Sequence, residues 1–179
     1  MKSKKRITIY PFGPIEFANS EAINWRKELA AFLENSAISA SFEFIDPIEA
    51  SYKIGADVSE NAVYAAKVKA VQDWPSFDDF MDNIWAQDKV NVDSSDVLVS
   101  WAQTEDDLVK LSYSGGSWRE IERAISRLQP VFVITRGPFV KVSSHFLHMF
   151  RLHGKAIGHE SIVKSPYDFC EELRRHFDL

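Results

Sequence analysis

Ser114-Gly115-Gly116-Ser117-Trp118-Arg119-Glu120-Ile121-Glu122-Arg123-Ala124 lies between two apolar runs. Asp96-Val97-Leu98-Val99-Ser100-Trp101 precedes it, and Pro130-Val131-Phe132-Val133-Ile134-Thr135 follows. The order reads strand, small-residue loop, helix, strand. Gly115 and Gly116 carry no side chain to hold a ligand away from the backbone. A helix beginning near Ser117 aims its free N–H groups at the same spot. On this spacing Glu120 falls in the first helical turn, beside an anion-accepting terminus, an arrangement suited to chemistry on a phosphorylated sugar. The competing reading is that Glu120 only complements the helix dipole, as first-turn acids often do, and spacing alone favours it.

Working outward from that stretch, the chain alternates strands and helices. Ile7-Thr8-Ile9-Tyr10 is a short β-rich run that stops at the turn Pro11-Phe12-Gly13-Pro14. A helix is predicted over about 20–34, capped by Ser20, and a strand over 41–46 that Pro47 closes. Residues 47 to about 60 read as irregular, with a lid or specificity loop around Tyr52-Lys53-Ile54-Gly55. Helical patterns over about 60–73 and 77–92 are broken at Trp74-Pro75, and Trp74 and Trp85 read as core or interface aromatics. Gln103-Thr104-Glu105-Asp106-Asp107 reads as a solvated connection rather than a metal site, because metal ligands must converge from distinct backbone positions. Further on, Ser143-Ser144 begins a helix ending at Gly154, a short strand falls within 157–163, and Ser165-Pro166 opens a last helix.

This order predicts one domain, residues 1–179, of α/β class: a doubly wound, Rossmann-like, five-stranded parallel sheet with helices on both faces. Ligands of such sheets bind beyond the carboxyl ends of the strands, where the strand order switches. The loops after the first and third strands, residues 11–15 and 114–117, should therefore meet, with Tyr10 and Asp88 in reach of the crevice.

The bulk composition removes other classes. The chain has 179 residues, is 45% hydrophobic and 26% charged, which is ordinary for a globular domain. A net charge of −5 argues against a general nucleic-acid-binding surface. No apolar run nears the roughly 20 residues of a membrane span, and the first residues lack a signal-peptide core, so a cytoplasmic location is expected. The single cysteine, Cys170, cannot pair within the chain and reads as a packing residue.

With these elements in place, the residues resemble the nucleoside 2-deoxyribosyltransferase superfamily of N-glycosidic-bond enzymes. Three pieces carry the resemblance, in register over roughly residues 6–135. Ile9-Tyr10-Pro11-Phe12-Gly13-Pro14 is similar to the family's first strand and its loop. Asp88, eight residues before the strand-starting Asp96, matches its Asp…Asp-Val spacing. Gly116-Ser117-Trp118-Arg119-Glu120-Ile121 is similar to its Gly-x-x-x-Glu-hydrophobic signature. The resemblance implies Glu120 as the nucleophile at the anomeric carbon, Asp88 as the acid assisting departure of the base, and Tyr10 as the group positioning nucleophile and sugar. An oxocarbenium-like transition state explains these types, since it needs one ionised and one protonated carboxyl.

Ser114 departs from the transferase pattern. Transferases of the family carry an aspartate six residues before the nucleophile, whereas the branch that hydrolyses nucleoside 5′-monophosphates carries a serine for the phosphate. A carboxylate there repels a phosphate and a hydroxyl donates to it. The substrate-binding set is accordingly Gly13, Pro14, Ser114, Gly115, Gly116 and Ser117, with no cofactor and no metal. The expected partners are a small-molecule nucleotide or nucleoside and further copies of the chain, in a homo-oligomer whose neighbouring subunit completes the site. Ser144, His145 and His148 are candidates for such a contact, and surface or interface placement is the plainer account of the histidines. Trp118 either closes over the base or packs under the loop, and Arg119 serves a phosphate or faces solvent.

Other accounts compete. Base exchange between nucleosides is the nearest. A phosphoribohydrolase of the lysine-decarboxylase-like type expects Pro-Gly-Gly-x-Gly-Thr, whose Gly-Thr is missing here. A nucleotide-binding or sensor module without turnover does not require the carboxylate pair, and a response-regulator-like module wants acids where this chain has Tyr10-Pro11.

Overall fold

The computed structural model describes residues 5–13, 20–47, 49, 50, 68 and 73–179. Five strands run β1 (Lys5–Pro11), β2 (Ala40–Phe44), β3 (Val97–Trp101), β4 (Val131–Ile134) and β5 (Ile162–Val163). Among the described residues six helices accompany them: α1 (Ser20–Glu34), α2 (Trp74–Ser94), α3 (Glu105–Tyr113), α4 (Gly115–Ser126), α5 (Ser144–Ile157) and α6 (Pro166–Phe177). Every strand pairing is parallel, in the order β2-β1-β3-β4-β5. This is the doubly wound α/β sheet that the alternation of apolar runs and amphipathic segments predicts.

Parallel sheets are covered on both faces, which is why Val97-Leu98-Val99 and Val131–Ile134 are unbroken apolar runs. Alternate side chains feed two separate cores. Ile7, Ile9, Val97, Val99, Phe132 and Ile134 meet α1 and α6 through Leu29, Leu33, Phe169 and Leu173. Tyr10, Leu98, Val131 and Val133 meet the other helices through Val92, Leu111, Ile121, Phe146 and Phe150. Each fully buried Leu, Ile or Phe contributes about 1.5–3 kcal/mol relative to exposure, so both faces are strongly held. Cys170 is buried in the first of these cores.

The chain leaves β1 for β2 on one side and later places β3 on β1's other side. That reversal puts the switch point between β1 and β3, at the ends marked by Phe12 and Trp101, and Phe12 N–H donates to Val99 O across it at 3.0 Å.

Three predicted segments are corrected. Residues 105–113 form a helix, α3, where the acidic run reads as a connection. Thr104 Oγ1 accepts from Asp107 N–H at 3.1 Å, and Asp107 accepts from Thr104 N–H at 3.0 Å, a reciprocal cap that uses the acidic triplet as a first turn. The helix before β3 starts at Trp74 rather than after Pro75, and Trp74 is 60% exposed, which removes the core half of the core-or-interface reading. α5 passes through Gly154 and ends at Gly158, whose φ of 79° is the left-handed stop. Gly154 is there for space: a Cβ on it would stand 2.5 Å from the His159 carbonyl oxygen. Ser143 and Ser165 cap α5 and α6 as expected, and Pro166 occupies the first turn of α6. The loop around residues 52–55 lies outside the described residues, as does the helix predicted over about 60–73 apart from residues 68 and 73. Among the described residues, no helix is long and apolar enough to cross a membrane.

Candidate functional site

Tyr10 is the last residue of β1 to point into the core shared with α2 and α4. Its phenol oxygen lies 2.6 Å from Glu120 Oε1 on α4 and 3.1 Å from Asp88 Oδ1 on α2. Tyr10, Glu120 and Asp88 are 0%, 4% and 7% exposed, so the three meet in a nearly dry environment. A phenol has one hydrogen. It can donate to one carboxyl only, and the other must be protonated and donate to the phenol oxygen. The geometry therefore fits a cluster that holds one extra proton.

Glu120 does not sit where the dipole reading needs it. α4 begins at Gly115, so Glu120 is six residues in, and the first turn holds no acid. Buried in the second turn, Glu120 complements no helix terminus. Its second oxygen, Oε2, is buried without any hydrogen-bond partner. Leaving a buried carboxylate oxygen unpaired costs about 1–3 kcal/mol or more, a cost that demands an account.

Burial raises both carboxyls. Asp88 is pushed from the ordinary 3.8 to about 6, chiefly by loss of solvent and against the Tyr10 hydrogen bond. Glu120 is raised well above its ordinary value, first by burial and then by the charge of Asp88, while the Tyr10 hydrogen bond and the Arg26 guanidinium pull it down. The two titrate as one unit. Tyr10 is itself driven up by burial and by both carboxyls, so it stays a neutral phenol.

Two ties between α2 and α4 straddle the carboxyl pair. Arg123 holds Asp93 through two 2.7 Å hydrogen bonds, and the Arg119 guanidinium stands 5.5 Å from the centroid of the Trp85 ring. In sequence these residues flank Glu120 and Asp88, so the ties fix the approach of the two helices at the acids. Arg119 is exposed and Trp85 is half-buried.

The Ser114 loop is the start of α4. Ser114 is the N-cap; its Oγ accepts from Ser117 N–H at 3.4 Å and from Ser117 Oγ–H at 3.2 Å. These two bonds do not use its own hydroxyl proton. Gly115 and Gly116 are exposed first-turn residues, and a Cβ on either would meet nothing within 4 Å. Among the described residues nothing requires glycine there. Gly13 lies at the end of β1, where an added Cβ would stand 3.7 Å from Ser100 Oγ and 3.8 Å from Arg26 Nη2. Pro14 lies outside the described residues.

Trp118 packs under the loop: its indole N–H donates to Ser112 O at 3.0 Å, and its ring stacks on His145 at 5.5 Å. It does not close over the carboxyls. His145 and His148 are exposed, and Ser144 is the first residue of α5. Among the described residues, no group of three or more His, Cys, Asp or Glu is placed to hold a metal ion.

Arg26 belongs to this region and the sequence pattern does not mark it. It is 6% exposed on α1, and its Nε–H donates to Pro11 O at 3.4 Å. An arginine in an amphipathic helix reads as a solvated face. The available signal was its place nearly two turns into a helix that starts just past the β1 loop, at the end of the sheet where ligands bind.

Compared with known proteins, the chain matches no family model and no curated protein.

Proposed function

We propose that the protein hydrolyses the N-glycosidic bond of a nucleoside 5′-monophosphate, releasing free base and sugar phosphate. The observation that carries the reading is the division of labour on Glu120: Oε1 is gripped by Tyr10 at 2.6 Å, and buried Oε2 is bare. A carboxylate held by one oxygen and unpaired at the other keeps a lone pair for attack on a sugar carbon. The 2.6 Å contact suits an O–H donating to an ionised oxygen and the 3.1 Å contact a protonated Asp88, an assignment that follows these distances against the burial that raises Glu120 further than Asp88.

In this scheme Glu120 Oε2 bonds to C1′ as the C1′–N bond breaks, and the electron pair leaves with the base. Asp88 delivers its proton to the departing base. Water then attacks C1′, the ester to Glu120 breaks, and the water's proton returns to Asp88. Tyr10 keeps Glu120 turned so that Oε2 faces the sugar. The 5′-phosphate is taken by the Ser114 hydroxyl and the first-turn N–H groups of Gly115 and Gly116. Their lack of Cβ leaves that approach open.

The test is chromatography of the protein incubated with a panel of ribo- and deoxyribonucleoside monophosphates. Free base should accumulate, and Glu120→Ala should lower its rate by at least about 10³-fold with the fold intact. A panel that stays intact rejects hydrolysis, and efficient exchange with an added second base would instead favour base transfer.

A further inference from the structure

We propose that the groove between α5, α6 and the edge strand β5 is a second binding site, built for the phosphate group of a small molecule. It stands apart from the hydrolase reading. Ser161 comes just before β5 and Tyr10 lies near the end of β1, so the groove and the carboxyl cluster occupy opposite ends of the parallel sheet.

The groove encloses about 580 Å³, within the ordinary range of small-molecule pockets. Its charge is unbalanced: Arg151, Lys155 and Arg175 line it against one acid, Glu160, in a chain of net charge −5. Arg151 and Lys155 stand one turn apart on α5, which contains no acid to pair with them. Among the described residues neither has an ion pair. Arg175 is held from below. Its Nη1–H donates to Glu172 Oε1 at 2.6 Å, and Glu172 is only 5% exposed. The other Glu172 oxygen accepts from Glu160 N–H at 3.2 Å. One buried carboxylate thus steadies both the guanidinium and the segment that floors the groove, and Arg175 keeps four further N–H donors. With Glu172 counted beside Glu160, the cations still outnumber the acids, three to two.

The floor is polar and buried. Ser161 and His159 both line the groove at 3% and 8% exposure, and Ser161 Oγ lies 3.4 Å from His159 Nδ1. Gly154 lets α5 rest directly on them, since a Cβ there would stand 2.8 Å from Ser161 Oγ. Buried polar groups beneath converging cations separate this groove from a solvated helix face. The plainer account is that the cations complement the carboxyl end of α5. That explains Lys155 in the last turn, but not Arg151 a turn earlier or Arg175 on another helix. The helix end carries about half a negative charge, and two full unpaired cations outweigh it. Two arginines and a lysine arriving from two helices suit a phosphate, whose oxygens accept along more directions than a carboxylate's. Leu152, 54% exposed, and half-buried Ile162 supply an apolar wall for an organic part.

The test is 15N NMR of the full chain at fixed ionic strength, titrated separately with inorganic phosphate and with ribose 5-phosphate. Backbone signals of Gly158, Ser161 and Ile162 should shift and saturate with at least one probe at millimolar concentration or below. Equal affinity for the two makes this a site for the phosphate group alone; at least about tenfold tighter binding of the ester assigns the apolar wall to the sugar side, and both outcomes support phosphate recognition. Arg151→Ser combined with Lys155→Ser should weaken binding at least about tenfold and leave the fold intact, because both side chains are exposed. Should the pair not fold, Arg151→Ser alone is judged in the same way. Shifts at Gly115, Gly116 and Ser117 report the proposed substrate phosphate instead; they should survive in the double variant and vanish in Ser114→Asp, which should leave the groove signals unchanged. No shift at Gly158, Ser161 and Ile162 up to about 20 mM of either probe would overturn the site. So would equal shifts with sodium chloride, or undiminished affinity in the folded variant. Failure of the groove leaves base release untouched, and absence of base release leaves the groove untouched.

Discussion

Tyr10 Oη and Glu120 Oε1 stand 2.6 Å apart although 110 residues separate them in the chain. This bond joins the end of β1 to the second turn of α4 and leaves the other Glu120 oxygen bare. Tyr10→Phe keeps the ring in its core and removes the donor. Glu120 then has no hydrogen bond on either oxygen, a loss of about 1–3 kcal/mol for its ionised form. Base release should fall roughly 10- to 100-fold, and its acidic limb should move to higher pH, because the Tyr10 bond lowers the Glu120 pKa. Kinetics across pH check both, and a uniform fall with no movement of the limb would separate Tyr10 from the charge on Glu120.

Asp88 gives the cleanest stability prediction. Its folded value of about 6 lies above the ordinary 3.8, so the folded state binds the proton more tightly than the unfolded chain does. The contribution is present below pH 4 and is lost as pH rises through 6. Asp88→Asn removes the ionisation and keeps a donor, its side-chain N–H, for the Tyr10 oxygen. At pH 8 it should raise stability by up to about 3 kcal/mol, at 1.36 kcal/mol per pKa unit. At pH 4 it should gain almost nothing. Thermal unfolding at the two pH values reads the difference, and base release should be lost because the leaving group has no proton donor.

The fold was legible in the sequence because a parallel sheet buried on both faces leaves long apolar runs, and β3 and β4 are such runs. α3 was not legible from hydrophobicity, since a nine-residue helix buries little beyond Leu108 and Leu111 behind three acids. The cap from Thr104 to Asp107 is the signal that marks its start. The start of α4 was misplaced by two residues because glycines read as loop, and that shift moved Glu120 from a first turn to a buried second turn. Tyr10, Asp88 and Glu120 became a set only through the resemblance; no local pattern joins residues from β1, α2 and α4. Arg26 was missed because burial of an arginine follows from tertiary packing, which periodicity does not express.

A second pH response should come from the opposite end of the sheet, where His159 stacks on Phe132 with ring centroids 4.5 Å apart. Burial, then the neighbouring His153 and His176, lower His159 from 6.5 to about 4. The unfolded chain binds this proton more readily, so the contribution is present above pH 6.5 and is lost as pH falls towards 4. His159→Asn lacks the titrating ring. Whatever it loses in packing at pH 7, its further fall in Tm between pH 7 and pH 4.5 should be several degrees smaller than the wild type's. Equal falls would show that His159 does not carry the acid sensitivity.

Ser114→Asp separates the phosphate from the rest of the substrate. Aspartate is as good an N-cap as serine, so Ser117 N–H keeps its acceptor and α4 keeps its start. What changes is the charge at the helix mouth beside the exposed Gly115 and Gly116 backbone. A carboxylate there would occupy the donors proposed for the 5′-phosphate and repel a dianion bound beside them. A like charge at about 4 Å costs about 1 kcal/mol in water and several times that in a partly shielded site. KM for nucleoside monophosphates should therefore rise at least about tenfold. Turnover of the matching nucleosides, which carry no phosphate, should stay within about twofold, because Tyr10, Asp88 and Glu120 are untouched. Equal losses on both substrates would place the phosphate elsewhere, and a gain in exchange between nucleosides would mean that residue 114 alone steers the choice between water and a second base.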